Sequence, residues 1–548
     1  MPRRSVSALV VLLLSLQLFA APAKKPVRKR SVAEQIKTIL NQPELVRAHW
    51  GIDVVDFQSG KTLYALNEDQ LFLPASNAKL FTTAAALSLA GPEYSFHTTV
   101  ESAGQVDAEG RLQGDLVIVG RGDPNISGRV LPYALKAERV APHTQVLEDL
   151  ARQVANRGVK VVEGDIIGDD TFYAPERYGE GWARDDLQWS DGAPVSALTF
   201  NDNVLFLGLQ PGAHEGDRAV VTLEPQTDYY EIQNHLLTTA PGGPRKIGVY
   251  HDTGSKTVAV WGWMPAGDPG VTESLAVDDP AELTAELFRR LLEQHGVTVT
   301  GKTWSRHGDM AQFFDEPLKL SASTTTRPGC CTPEARAATV SGPVLDPNAS
   351  AATPAPAPAP ATTVLAEHVS LPFIEDVRVI NKTSQNLHAE LALRLAGKLD
   401  GDGGSFEGGE AAVKQFLLRA GLREEEFVLL DGSGLSRRDL VTPAAVTRLL
   451  IYARHEPWGA AYEESLPAGG IDGSLSERFA SSPATGLVHA KTGTLSHVSA
   501  LSGYGQTLKG RRFVFSIFCN NYNVPPSKVV PAIDSIVKLL VTQGDSIK

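Results

Sequence analysis

Residues 71–87 read LFLPASNAKLFTTAAAL. The alanine-rich run continues until Gly91-Pro92 closes it, which predicts a helix from about Ser76 to Ala90. It is apolar on all sides, as a helix buried in a core must be. Ser76 and Lys79 stand three residues apart at its start, so they share one face, one turn apart. A serine cap followed by a solvated lysine would give the same letters. So would a nucleophile followed by its base, and the rest of the chain has to separate the two.

Before this helix, SVAEQIKTILNQPEL from Ser31 has the spacing of an amphipathic helix. HWGIDVVDFQSGKTLYALNED (49–69) then alternates apolar and polar residues around Gln58, Ser59 and Gly60, a β-hairpin pattern. After it, residues 96–318 change to short strands broken by Gly, Pro, Asn and Asp, which predicts inserted β-rich domains, two by length. AELTAELFRRLLEQHGV (281–297) is the one strong helix expected there. Residues 319–363 are an Ala/Pro-rich stretch with an alternating Ala-Pro run, read as an extended, disordered linker without chemistry.

Order resumes at residue 364. LPFIEDVRVINKTSQNLHAELALRLAGKL carries helical periodicity, interrupted or bent across Asn381–Asn386. AAVKQFLLRAGL and TPAAVTRLLIYAR predict further helices. LVHAKTGTLSHVSALSGYGQTLKGRRFVFSIFCNN predicts adjacent strands, and SKVVPAIDSIVKLLVTQG predicts a closing helix. Residues 31–95 and 364–548 therefore read as two parts of one α+β domain, helices stacked on an antiparallel sheet.

Composition narrows the class. The chain has 548 residues, 42% of them hydrophobic and 21% charged, as in a multidomain globular protein. A net charge of −12, with no basic stripe after residue 31, argues against nucleic acid as a partner. Arg3 and Arg4, an apolar run from about Val6 to Ala21, and Ala21-Pro22-Ala23 form the pattern of a secretory signal peptide over residues 1–23. The run is short for a membrane span, so the mature protein is expected to be exported, in the periplasm or cell-wall space, without a stable span. Three cysteines, Cys330, Cys331 and Cys519, cannot build a disulfide scaffold. No His or Cys spacing suits zinc, so neither metal nor cofactor is implied.

Acyl transfer by serine without a histidine needs a lysine base, whose ammonium must be destabilised by burial or a second cation. Ser-x-x-Lys occurs twice, at Ser76–Lys79 and at Ser535–Lys538, and is weak alone. Ser-x-Asn occurs once, at Ser384 and Asn386, and Lys-Thr-Gly once, at Lys491, Thr492 and Gly493. Their order, and their expected places at a helix start, a helix bend and a strand, match the set used by penicillin-binding proteins and β-lactamases. Ser535–Lys538 has nothing downstream and reads as an ordinary helix face. DGSGLS (431–436) lacks the Gly-x-Ser-x-Gly spacing and reads as a turn lining the cleft. Asp123 in RGDP reads as a turn residue, and His497 as a neighbour of the cleft without a role.

With these motifs and PASNAKLFTTAAALSLAGPEYSF, GDLVIVGRGDPNI, GAPVSALTFNDN, NKTSQNLHAELALR, GGIDGSLSERF and HAKTGTLSHVSALSGY, the chain resembles the class C low-molecular-mass penicillin-binding proteins, D-alanyl-D-alanine carboxypeptidases/endopeptidases. The resemblance runs from residue 31 to the end, outside the linker. It implies a penicillin-sensitive serine peptidase acting on peptidoglycan stem peptides, with β-lactams as inhibitors. It implies Ser76 as nucleophile, Lys79 as general base and Ser384 as proton relay. It further implies Asn386 on the substrate backbone, Lys491, Thr492 and Thr494 at the terminal carboxylate, and Gly493 letting the strand approach the substrate. Lys491 would also depress the Lys79 pKa, and the backbone N–H groups of Ser76 and Thr494 would form the oxyanion hole.

Two other readings compete. A β-lactamase would need fast deacylation, and no matching glutamate motif is present. A non-catalytic wall-binding protein would keep the fold without needing all three motifs intact.

Overall fold

A computed structural model describes residues 30–133, 139–140, 142–310, 361–401 and 403–547. The leader, Cys330, Cys331 and nearly all of the expected linker lie outside the described residues. Among the described residues no helix is long and apolar enough to cross a membrane.

Strands from both ends of the chain meet in one antiparallel sheet, in the order Val488–Leu495, Val498–Gln506, Arg512–Asn520, His49–Asp56, Thr62–Leu66. His49–Asp56 pairs along its whole length with Arg512–Asn520, Ile52 opposite Ile517. Its hairpin partner Thr62–Leu66 follows a turn closed by Gly60 at φ 68°.

Both faces of the sheet are covered, which is why its inner strands are apolar almost throughout rather than alternating. Ile52, Val54, Phe515 and Ile517 point to one side, against the helices Val32–Leu40 and Pro526–Gln543. The first of these is started by a reciprocal cap between Ser31 and Glu34. Val514, Phe518 and Ala500 point to the other side, into a layer built from the helices Ala78–Ala90, Asn386–Asp400, Phe406–Arg419 and Pro443–His455. Ala78–Ala90 is buried from Ala78 through Leu87, as its all-round apolar composition predicts.

Between the two ends stands a second five-stranded sheet, ordered Thr303–Arg306, Ile166–Asp169, Leu116–Val119, His97–Ser102, Thr363–Val369. Its first two pairings in that order are parallel and its last two antiparallel, and the chain leaves and re-enters through the neighbouring strands His97–Ser102 and Thr363–Val369. Among the described residues, three three-stranded sheets complete the middle block.

The expectation of a single helix there needs correction. Gln145–Asn156 is a second one, burying Leu147, Leu150, Ala151 and Val154 on one stripe. Those positions have the i, i+3, i+4, i+7 spacing of an amphipathic helix, set in a block whose overall Gly, Pro, Asn and Asp content points to strands and turns.

Candidate active site

Three bends bring the motifs together. The first is the turn before the helix Ala78–Ala90, where Ala75 takes φ 47° and Ala75–Asn77 forms one 3₁₀ turn. The second is Ser384, left-handed at φ 66°, ψ 34°, between the helices Phe373–Thr383 and Asn386–Asp400. This is the interruption expected at Asn381–Asn386. The third is the Asp431–Ser436 turn. Asp431 ties it together by accepting from the backbone N–H groups of Gly434 and Ser436, both at 2.7 Å.

The third bend packs on the first. Gly434 has φ 80°, and a Cβ there would lie 2.0 Å from the Ala75 carbonyl oxygen, so no other residue fits. The strand Val488–Leu495 closes in from another side. A Cβ on Gly493 would meet the Pro74 carbonyl at 2.7 Å and the Asn77 amide at 2.8 Å. The bare backbone at Gly493 thus also lets the strand pack on the turn carrying Ser76.

Lys79 is fully buried at the junction. Its Nζ donates to Ser76 Oγ at 2.9 Å, Asn386 Oδ1 at 2.7 Å and the Ser433 carbonyl at 2.7 Å, three acceptors for three protons. Burial pulls its pKa down to about 8, against the carboxylates of Asp431 and Glu390, which raise it. The sequence reading gave Lys491 the role of depressing Lys79, but burial is the main cause. Lys491 is buried too and is itself held well below the ordinary lysine range, by burial and then by the charge on Lys79. Its Nζ donates to Ser384 Oγ at 2.8 Å and to the Thr492 carbonyl at 3.0 Å.

Above the lysines opens a cleft of about 480 Å³ lined by Ser76, Ser384, Asn386, Thr492 and Thr494. Thr492 Oγ1 lies 2.8 Å from Ser474 Oγ. Gly434 and Leu435 also line the cleft, as expected of a turn read from DGSGLS.

Sequence reasoning missed its charged walls, Asp186 and Asp191 from the middle block and Arg437 after the turn. It also missed Glu390, whose carboxylate accepts from the Gly432 and Ser433 N–H groups at 2.9 and 2.8 Å. Burial and the neighbouring Asp431 push Glu390 up to about 8. The available signal was an acid on a helix otherwise apolar enough to be buried.

Other residues fall where they do no chemistry. Ser535 Oγ donates to the Pro531 carbonyl within its helix. Asp123 caps its own turn through the Asn125 N–H. His497 Nδ1 lies 2.8 Å from the Tyr522 carbonyl in the hairpin after Lys-Thr-Gly.

One constellation imitates a triad. Ser305 Oγ lies 3.0 Å from His307 Nε2, and His307 Nδ1 lies 2.8 Å from Asp170. Asp279 sits 2.9 Å from both Ser305 Oγ and His307 Nε2, however, and hydrogen bonds donated to the carboxylates of Asp170 and Asp279 push His307 up to about 10. An imidazolium clamped between carboxylates cannot act as a base.

Residues 32–311 and 347–542 match the D-Ala-D-Ala carboxypeptidase 3 (S13) family. The chain belongs to that family. It is a serine-type D-Ala-D-Ala carboxypeptidase, a hydrolase and a penicillin-binding protein. A D-alanyl-D-alanine carboxypeptidase of Actinomadura sp. (strain R39) is 34% identical over 97% of this chain and 89% of its own length. The D-alanyl-D-alanine carboxypeptidase DacB of Haemophilus influenzae is 25% identical over 83% of this chain and 82% of its own. The crystal structure of Haemophilus influenzae penicillin binding protein 4 (dacB) has the same fold, with a TM-score of 0.72 at 22% identity, covering 92% of this chain and 99% of that one. That protein has also been crystallised with a β-lactam, and the match to that structure has a TM-score of 0.67.

Proposed function

We propose that this carboxypeptidase hydrolyses the D-alanyl-D-alanine end of peptidoglycan stem peptides through an acyl-enzyme on Ser76. The observation that carries the reading is the 2.9 Å bond between Lys79 Nζ and Ser76 Oγ inside a buried pocket. With a pKa of about 8, about one Lys79 in ten is neutral at pH 7. That neutral amine takes the Ser76 proton as Oγ attacks the carbonyl between the two D-alanines. The backbone N–H groups of Ser76 and Thr494 receive the oxyanion, and each such donor contributes about 2.7–4 kcal/mol. Ser384, hydrogen-bonded to Lys491, passes a proton to the departing D-alanine. Water then releases the acyl group.

The terminal carboxylate binds at Lys491, Thr492 and Thr494, while Asn386 holds Lys79 and the substrate backbone. A carboxylate arriving beside Lys491 restores its proton, since an opposite charge raises a lysine pKa. An amide between two stem peptides presents the same carbonyl, so the site serves as an endopeptidase as well. Penicillin acylates Ser76 and stays. The β-lactam complex of the Haemophilus influenzae protein supports this sensitivity.

Residues 1–23 direct export to the periplasm or cell-wall space. Residues 31–95 and 364–548 form the catalytic domain, 96–318 its inserted domains and 319–363 a linker. The shared sheet of the two chain ends supports that division.

The test is a fluorescent penicillin followed by mass spectrometry, on the wild type and on Ser76→Ala. A stable adduct on the wild type alone is expected. Intact antibiotic without adduct would turn the reading toward a wall-binding protein, and destroyed antibiotic without adduct toward a β-lactamase.

A further inference from the structure

The middle block grips the Ser384–Gln385–Asn386 turn at two points. Asn386 Nδ2 donates to the Asp191 carbonyl at 2.9 Å. Gln385 Nε2 donates to Asp202 Oδ2, also at 2.9 Å. Asp202 reaches one step further, its Oδ1 lying 3.1 Å from Nε2 of His388, which is buried in the same helix as Asn386. Asp376 takes the other ring nitrogen at 2.7 Å and also receives Asn125 Nδ2 at 3.3 Å.

The backbone that delivers Asp202 is unusual. Asn201, Asp202 and Asn203 all have left-handed φ, at 51°, 57° and 56°. A run of three non-glycine residues in that region is strained and persists only where its surroundings enforce it. Here the enforcement is visible. Asn203 Nδ2 donates to the Pro194 carbonyl at 2.7 Å, Asn201 Nδ2 to the Val204 carbonyl at 3.1 Å, and Arg139 to the Asn201 carbonyl at 2.9 Å. Arg129 pairs with Asp202 at 2.6 Å, both side chains 2% exposed, and Arg139 stands 3.5 Å away. A buried carboxylate with two guanidiniums needs no further cation to be compensated. Its extension to Gln385 and His388 therefore has a use beyond its own solvation.

We infer that Asp202 is a positioning residue for the reaction, setting through Gln385 and His388 where Ser384 and Asn386 stand over Lys491 and Lys79. Asp202 thereby contributes to catalysis without itself touching substrate. This rests on the roles given to Ser384 and Asn386 above.

The charge state of the cluster agrees. Burial alone would keep His388 neutral, but Asp376 and Asp202 raise its pKa above the ordinary value. Burial opposes ionisation of Asp202 too, yet Arg129 and Arg139 hold it well below the usual carboxylate range.

The experiment uses the full chain and four variants, Asp202→Asn, Gln385→Ala, both together, and Leu150→Ala as a buried-core control in the same block. It reads thermal unfolding, the rate of Ser76 acylation by a fluorescent penicillin, and kcat and KM for D-alanine release from a short peptide. Asp202→Asn is expected to slow acylation by up to about 10²-fold, in kcat rather than KM, as displaced reacting groups do. The double variant should be no slower than the worse single variant, because both changes break one link. Leu150→Ala should lose comparable thermal stability and keep its acylation rate.

An Asp202→Asn protein that acylates like the wild type, or loses no more than Leu150→Ala at matched stability, would overturn the inference. If Asp202→Asn does not fold, Gln385→Ala alone decides, and a wild-type rate there overturns it. A wild type that never acylates would instead sink the reading of the cleft itself.

Discussion

Lys79 Nζ bonds the Ser433 carbonyl at 2.7 Å, so the nucleophile helix and the Asp431–Ser436 turn meet on one ammonium. The group proposed as the base also ties two segments together. Its protonation is therefore a matter of both rate and architecture.

Acylation should follow the titration of Lys79. Only the neutral amine accepts the Ser76 proton, and burial sets its pKa at about 8. Below that pH the rate should fall about tenfold per unit, and above it level off. The check is the second-order rate of penicillin acylation between pH 5.5 and 9.5. A flat profile, or a limb centred near the ordinary lysine value, would contradict the assignment.

Lys79→Met should fold and bind ligand yet acylate about 10²–10⁴-fold more slowly, the usual loss when a positioned base is removed. Ser384→Ala leaves the Ser76–Lys79 pair untouched, so its first acylation step should suffer less than its D-alanine release. Stopped-flow acylation and steady-state turnover, measured on both variants, separate these effects.

The two glycines at the nucleophile turn should rank in order. Gly434→Ala combines a positive φ with a 2.0 Å clash on the Ala75 carbonyl. Gly493→Ala meets the Pro74 carbonyl at 2.7 Å without a left-handed backbone. Overpacking of the second kind costs about 1–3 kcal/mol, and Gly434→Ala should cost more. Chemical denaturation of both variants checks the ranking.

Glu390 should make stability depend on pH in a recognisable direction. Burial and Asp431 raise its pKa to about 8, so in the folded protein it stays protonated over a range where the unfolded chain ionises it. Stability from this group is thus fully present below the unfolded value and is lost as pH rises from about 4.5 to about 8. Glu390→Gln should flatten that slope. Thermal unfolding at pH 5 and pH 8, wild type against variant, shows whether it does.

Much of this was legible before any coordinates. The Gln58–Gly60 hairpin, the buried helix after Ser76 and the break at Ser384 each have a local cause, whether a turn residue, an all-apolar run or a polar interruption. The middle block was harder. Gln145–Asn156 carries a regular stripe at Leu147, Leu150, Ala151 and Val154, but it stands alone among short strands and turn residues. Glu390, Asp191 and Asp202 were invisible for another reason. Each matters through a partner distant in sequence, and no spacing within one segment encodes such a meeting. The motifs were found because they are short, whereas their supports were not.

The sheet that joins the chain ends has a consequence for biosynthesis. Ile52 pairs with Ile517, some 465 positions later. Contacts so far apart in sequence form slowly, because the intervening chain must be closed into a loop first. Ser76 and Lys79 leave the ribosome long before the strand bearing Lys491 and its neighbours. A nascent chain therefore holds a serine and a lysine but no assembled centre. On the proposed roles, the centre is complete only when the strand bearing Lys491 has docked.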